Sequence, residues 1–206
     1  MQPRPMRFFR NNKQSKQTRP MTDPILIVGA GQAGIKAAET LRQKGYDGDL
    51  VLFGEEAFLP YQRPPLSKAY LKGEMDEERL FLRPEAYFET ASVELRTRTS
   101  VASIDPAARS IALSNGTRMP YSSLLLATGT RARQIPLEGA TLDGVFSLRT
   151  MADVAAIRET LAGAENVIIL GGGYIGMEFA AVAAGRDIVL EGPPGTSKTT
   201  MLTAIT

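Results

Sequence analysis

Two glycine triplets are spaced to hold phosphate. Gly29, Gly31 and Gly34 follow the apolar run Ile25-Leu26-Ile27-Val28; Gly171, Gly173 and Gly176 follow Val167-Ile168-Ile169-Leu170. In both places G-x-G-x-x-G stands between a strand pattern and a helix pattern, the context that gives this short motif its meaning. The first glycine makes the tight turn, the second lets a pyrophosphate reach the backbone, and the third lets helix and strand pack closely. Free N–H groups at the helix start, together with its dipole, favour the two phosphates. Glu55 lies 26 residues after Gly29, at the end of the apolar run Leu50-Val51-Leu52-Phe53, where a carboxylate can accept both hydroxyls of an adenosine ribose. Glu191 lies 20 residues after Gly171; an acid there repels a 2′-phosphate and favours NADH over NADPH. Two such units, 142 residues apart, imply two dinucleotides. FAD on the first unit and NAD(P)H on the second is the arrangement of a flavoprotein fed by a nicotinamide.

A third phosphate motif comes last. Gly192 to Thr199 keeps the P-loop spacing, with Gly192 and Gly195 in the loop, Lys198 to reach the terminal phosphates, Thr199 to hold magnesium, and Ser197 in place of the second motif glycine.

Composition narrows the chemistry. The 206 residues include no Cys, His or Trp. That excludes a disulfide framework, a Cys/His zinc site and a redox-active dithiol, so no metal site is expected. Absence of Cys fits a reducing compartment, and a cytoplasmic location is expected. No apolar stretch is long enough to span a membrane. Residues 1–21 hold six of the 24 basic residues and no acid; the remainder has 18 bases against 22 acids. The basic surplus therefore belongs to the leader, which reads as a disordered tail rather than a nucleic-acid arm.

The elements that must position these groups are legible in outline. Ile25–Val28, Leu50–Phe53, Leu124–Gly129, Val167–Leu170 and 187–191 read as strands, the first four as buried parallel strands. Helices are expected from Ile35 to Leu41, 68–72, near Phe88, 151–162 and 177–184. Residues 93–120, with β-branched alternation and an Asn115-Gly116 turn, read as a small antiparallel meander. The class is α/β, a Rossmann-like fold with a meander and the start of a second βαβ unit. The expected organisation is a tail over 1–21, a FAD-binding domain over 22–150 and the truncated start of an NAD(P)-binding domain over 151–206.

PYQRPPLSKAYL (Pro60 to Leu71), LLLATGTRAR (Leu124 to Arg133), SLRTMADV (Ser147 to Val154) and VIILGGGYIGMEFAA (Val167 to Ala181) occur in that order. With them the chain resembles the FAD-dependent ferredoxin reductases, a group that includes the rubredoxin and putidaredoxin reductases. The resemblance covers residues 24–184 and implies a fold of the glutathione-reductase type. It implies hydride transfer from NAD(P)H to FAD, then single-electron delivery to an iron–sulfur or rubredoxin-type carrier, with no nucleic-acid or membrane partner. It assigns Ala33 and Glu55 to the FAD pyrophosphate and ribose, Arg63 and Lys68 to the flavin neighbourhood, and Val101 and Arg149 to the adenine side or dinucleotide linker. Thr128 and Gly129 close the loop where the chain leaves the FAD domain. It also pairs Lys68 with Glu178 beside the flavin, where a cation stabilises the negative charge of the reduced ring and a carboxylate keeps a buried lysine charged.

From residue 187 onward the sequence changes character and resembles the nucleotide-binding start of MoxR-like AAA+ ATPases. The resemblances together imply two pieces joined near Ala183 to Arg186. They also imply a reductase fragment that by itself reduces carriers poorly. A P-loop ATP-binding protein and a non-catalytic FAD-binding module are the alternatives at this stage.

Overall fold

The computed structural model describes residues 23–133, 136 and 138–184, and the backbone of 187–191. Strand β1 (Ile25–Val28) leads through a glycine turn into helix α1 (Gln32–Gln43), and β2 (Leu50–Phe53) follows. Loop residues, two 3₁₀ turns and the single-turn helix α2 (Ala69–Lys72) then lead to α3 (Glu85–Thr90) and β3 (Val93–Arg96). Next come β4 (Val101–Asp105), β5 (Ser110–Leu113), β6 (Arg118–Pro120) and β7 (Ser123–Leu126). The last elements are α4 (Met151–Ala162), β8 (Asn166–Leu170), α5 (Tyr174–Val182) and β9 (Asp187–Glu191).

The main sheet is parallel, in the order β3-β2-β1-β7. Its strands are short apolar runs, and their alternate side chains serve two cores. Ile27, Leu50 and Leu52 pack with Ile35, Ala38 and Phe88 beneath α1 and α3. Leu26, Val51 and Phe53 face the other way and meet Ile111 and Leu113 of β5, in the antiparallel sheet β4-β5-β6, and Tyr121 just past β6. A third core joins Tyr61, Leu66, Leu71 and Leu80 to Met151, Val154 and Ile157 of α4.

Helix α1 ends where Gly45 takes φ +84°, and Arg42 fixes that end. Its guanidinium donates to the carbonyls of Ala91, Tyr46, Gly48 and Ser92 at 2.5–2.8 Å, tying the helix to the turn before β3.

Two expectations change. The meander is confined to β4–β6, because Val93–Arg96 pairs in parallel with β2 rather than with β4. The third and fourth apolar runs are not buried strands. Leu126 on β7, at the edge of the sheet among the described residues, is 56 % exposed, and Ile168 on β8 is 69 % exposed. An apolar run shows that a strand forms; it does not show how many neighbours cover it.

Candidate dinucleotide site

The chain runs outward from β1 to β2 and β3, then returns to β7 on the opposite side of β1. This reversal makes a topological switch point at the carboxyl ends of β1 and β7, the place where open α/β sheets receive ligands. Gly29 stands there with φ +118°, and a Cβ on it would lie 2.1 Å from the Ala127 carbonyl oxygen. A Cβ on Gly34 would lie 2.0 Å from the Gly29 oxygen. Gly31, the N-cap of α1, has ordinary φ −99°, and a Cβ there would meet nothing within 4 Å. Two glycines are therefore required by the fold, and the middle one faces open space.

The start of α1 has no side-chain cap and no acid in its first turn. Helix α4 is the contrast: Thr150 and Asp153 form a reciprocal capping box that satisfies its first N–H groups. The bare N–H groups of α1 are fitted to an external anion. Exposed Ala33 lies in that first turn, and exposed Thr128 and Gly129 (φ +69°) lie just past β7. The second triplet repeats the geometry. Gly171 has φ +106°, a Cβ on Gly176 would lie 2.2 Å from the Gly171 oxygen, and a Cβ on Gly173 would meet nothing within 4 Å. Helix α5 also lacks a side-chain cap and a first-turn acid.

Glu55 lies two residues past β2, and both of its oxygens accept from Arg131 Nη2, at 3.0 and 2.9 Å. The two side chains are 61 % and 85 % exposed, so the pair is weak enough for a polar ligand to displace. Val101, the first residue of β4, is partly buried and packs against the core between the two sheets. Glu191 pairs with Leu170, the register at which the first unit has Phe53 opposite Val28. Glu55 stands two positions beyond that register. The backbone thus puts Glu191 inside the strand rather than past its end.

Lys68 and Glu178, 110 residues apart, do meet. Lys68 Nζ lies 3.3 Å from Glu178 Oε1, and buried Ser67 donates to Glu178 Oε2 at 2.5 Å. The Lys68 side chain is 55 % exposed and that of Glu178 30 %, so the pair is partly open to solvent.

Arg63 and Arg149 also come together. Arg63 Nη1 donates to the Arg149 carbonyl at 2.7 Å, and Nη2 lies 2.6 Å from Glu56 Oε1. Among the described residues, the Arg149 Nε is buried and has no hydrogen-bond partner. This orphaned donor, the open face at Gly31 and the uncapped start of α1 fit an anionic dinucleotide. Sequence reasoning missed Glu56, Tyr61, Ser67 and Arg131. Ser67 sits inside the quoted PPLSK motif and Glu56 beside Glu55, so adjacency was the available signal.

The P-loop residues Gly192, Gly195, Lys198 and Thr199 lie outside the described residues, as does the leader over 1–21. Among the described residues there is no cluster of three or more metal-ligating side chains, and no helix is long and apolar enough to cross a membrane.

The family model for the pyridine nucleotide-disulphide oxidoreductases matches residues 23–193. The rubredoxin-NAD(+) reductase of Pseudomonas putida is 43 % identical over 173 residues, covering 82 % of this chain and 45 % of that protein. The rhodocoxin reductase of Rhodococcus erythropolis is 43 % identical, covering 80 % of this chain and 38 % of that protein. Among solved structures, the ferredoxin reductase for the CYP199A2 system of Rhodopseudomonas palustris superposes with TM-score 0.78 at 42 % identity, covering 82 % of this chain and 42 % of that one. The reductase in a putidaredoxin reductase–putidaredoxin complex gives TM-score 0.75 at 35 % identity, covering 84 % and 42 %. The chain thus spans less than half the length of these relatives. These matches lend no support to the likeness of the last residues to MoxR-type ATPases.

Proposed function

The chain belongs to the pyridine nucleotide-disulphide oxidoreductase family, and from that premise we propose that it is the FAD-binding part and the beginning of the NAD(P)H-binding part of a ferredoxin-type reductase. The two parts divide near residue 150, where α4 starts. In the intact arrangement FAD, when bound, accepts hydride from NAD(P)H and releases electrons singly to an iron–sulfur or rubredoxin-type carrier. NADH is the preferred donor, in keeping with relatives named for NAD(+).

The chain's own residues divide the work. N–H groups at the start of α1 meet the FAD pyrophosphate across Gly31, and Glu55 accepts from the adenosine ribose once Arg131 swings aside. Arg149, half-buried with its Nε covered, supplies a cation to the linker. Lys68, steadied by Glu178 and Ser67, places positive charge where the ring gains electrons, and Arg63 holds the neighbouring backbone. Gly171, Gly173 and Gly176 offer the same cradle to the NAD(P)H phosphates. Lacking cysteine, the chain cannot pass electrons through a dithiol. The observation that carries this reading is the start of α1 at Gly31, without a side-chain cap and open where a Cβ would meet nothing within 4 Å, at the switch point between β1 and β7.

The test is FAD titration of the purified full chain, followed by flavin fluorescence quenching. Saturable quenching that Gly31→Val abolishes supports the reading. A chain that quenches no flavin, or a Gly31→Val variant that binds as before, overturns it.

A further inference from the structure

We infer that Tyr61, together with Glu56, is a positioning residue that presets Arg149 for its anionic ligand. The inference deepens the flavin-site reading and rests on it. Tyr61 is 6 % exposed, yet its hydroxyl has three polar neighbours. It donates to Glu56 Oε2 at 2.5 Å, and it accepts from the Met151 N–H and from Arg63 Nη1, each at 3.2 Å. Those groups belong to three segments: the turn after β2, the proline-rich loop and the first turn of α4. One hydroxyl therefore joins the first βαβ unit to the start of α4, where Arg149 lies.

The consequence falls on Arg149. Its carbonyl accepts from Arg63 at 2.7 Å, and its N–H donates to Asp153 Oδ2 at 2.9 Å. Both polar groups of its backbone are thus held, and the position of Arg63 is itself set by Glu56 and by the Tyr61 ring, 5.2 Å from the guanidinium. The Arg149 side chain leaves this clamp with its Nε buried and unpartnered among the described residues. A buried donor without an acceptor is costly, and a site that keeps one is arranged for a ligand that supplies the acceptor. A dinucleotide phosphate is such an acceptor. Holding the guanidinium in place beforehand removes ordering cost from binding. Burial, and then the Glu56 carboxylate, push the Tyr61 phenol well above its ordinary range, so the hydroxyl keeps the proton it donates.

The inference predicts coupling rather than mere loss. FAD is titrated into the full chain and into Tyr61→Phe, Arg149→Gln and the double variant, with thermal melts beside each. Tyr61→Phe keeps the ring and its packing. It is expected to weaken FAD about tenfold, with no comparable further loss once Arg149 is replaced. If Tyr61→Phe melts below the working temperature, Glu56→Gln takes its place with the same expectation. Equal losses with and without Arg149 would mean that Tyr61 acts only through general stability, which overturns the inference. An unchanged affinity in Tyr61→Phe overturns it while leaving the flavin site standing. If neither Arg149→Gln nor Gly31→Val weakens FAD, the site reading itself fails and the positioning role of Tyr61 fails with it.

Discussion

The two glycine units carry the same turn but differ in what surrounds it. In the first, Leu26, Ile27 and Leu52 are fully buried, and the sheet extends to four strands with a layer on each face. In the second, Ile169 and Ala180 are buried, but Ile168 and Leu170 on the opposite face of β8 are 69 % and 53 % exposed, and β8 pairs only with β9 among the described residues. Matching backbone turns therefore do not imply matching sites. A phosphate cradle needs one strand, one turn and the start of one helix, whereas enclosing the rest of a dinucleotide takes neighbouring strands and a covering layer.

The sharpest way to break this comparison is to fill the crowded glycines. Gly34→Ala drives a methyl into the Gly29 carbonyl at 2.0 Å, inside the main core. A loss at or beyond the upper end of the ~1–3 kcal/mol typical of overpacking is expected in denaturant melts. Gly176→Ala makes the corresponding contact at 2.2 Å in the thinner unit. Its effect should remain local, seen by hydrogen exchange as loosening of β8 and α5 while β1 and β2 stay protected. Global unfolding by Gly176→Ala would show that the two units form one cooperative block.

Filling the open glycines separates binding from folding. A Cβ at Gly31 or Gly173 would meet nothing within 4 Å, so melts of Gly31→Val and Gly173→Val should shift by less than ~0.5 kcal/mol, as for an ordinary surface change. Gly31→Val should cost FAD at least tenfold in affinity, equivalent to ~1.4 kcal/mol. Gly173→Val should leave FAD binding alone and weaken NADH. Loss of FAD in Gly173→Val would mean that the two sites are not independent.

A smaller effect is expected at the contact between the units. Lys68→Gln removes the cation held by Glu178, and the potential of bound flavin should fall. Because Lys68 is half exposed, the fall should be no more than about 30 mV, or ~1.4 kcal/mol for a two-electron couple. Spectroelectrochemical titration reads it directly; a rise in potential would assign the pair the opposite role.

The smallest effect is alkaline. Tyr61 titrates above its ordinary value of 10.0, chiefly because it is buried and then because it donates to Glu56. Its contribution to stability is complete below the unfolded value and is lost as pH rises through the folded one. Melting temperature should therefore fall on the alkaline side, and less steeply in Tyr61→Phe. Tyr87 shifts in the same direction through burial and Glu39, so the variant, not the pH series alone, is the measurement that decides.

Local chemistry was written in the residue order. Apolar runs bounded by glycine specify strands and turns, and the backbone conformation at Gly29 and Gly171 follows from the residue type. The helix over 151–162 and the strand over 187–191 match the expectation to the residue; the structure shows that Thr150 and Asp153 fix the start of that helix with a capping box. The meeting of Lys68 and Glu178 was available through resemblance, since spacing alone says nothing about contacts across 110 residues. Tertiary structure decided the rest. It moved Val93–Arg96 from the meander into the parallel sheet and paired β7 with β1, because strand neighbours are chosen by packing between distant segments rather than by local pattern. It set Glu191 opposite Leu170, because register depends on crossover length as well as on the strand itself. It also assembled Glu56, Tyr61, Arg63 and Arg149, whose hydrogen bonds exist only after three separate segments have closed on one another.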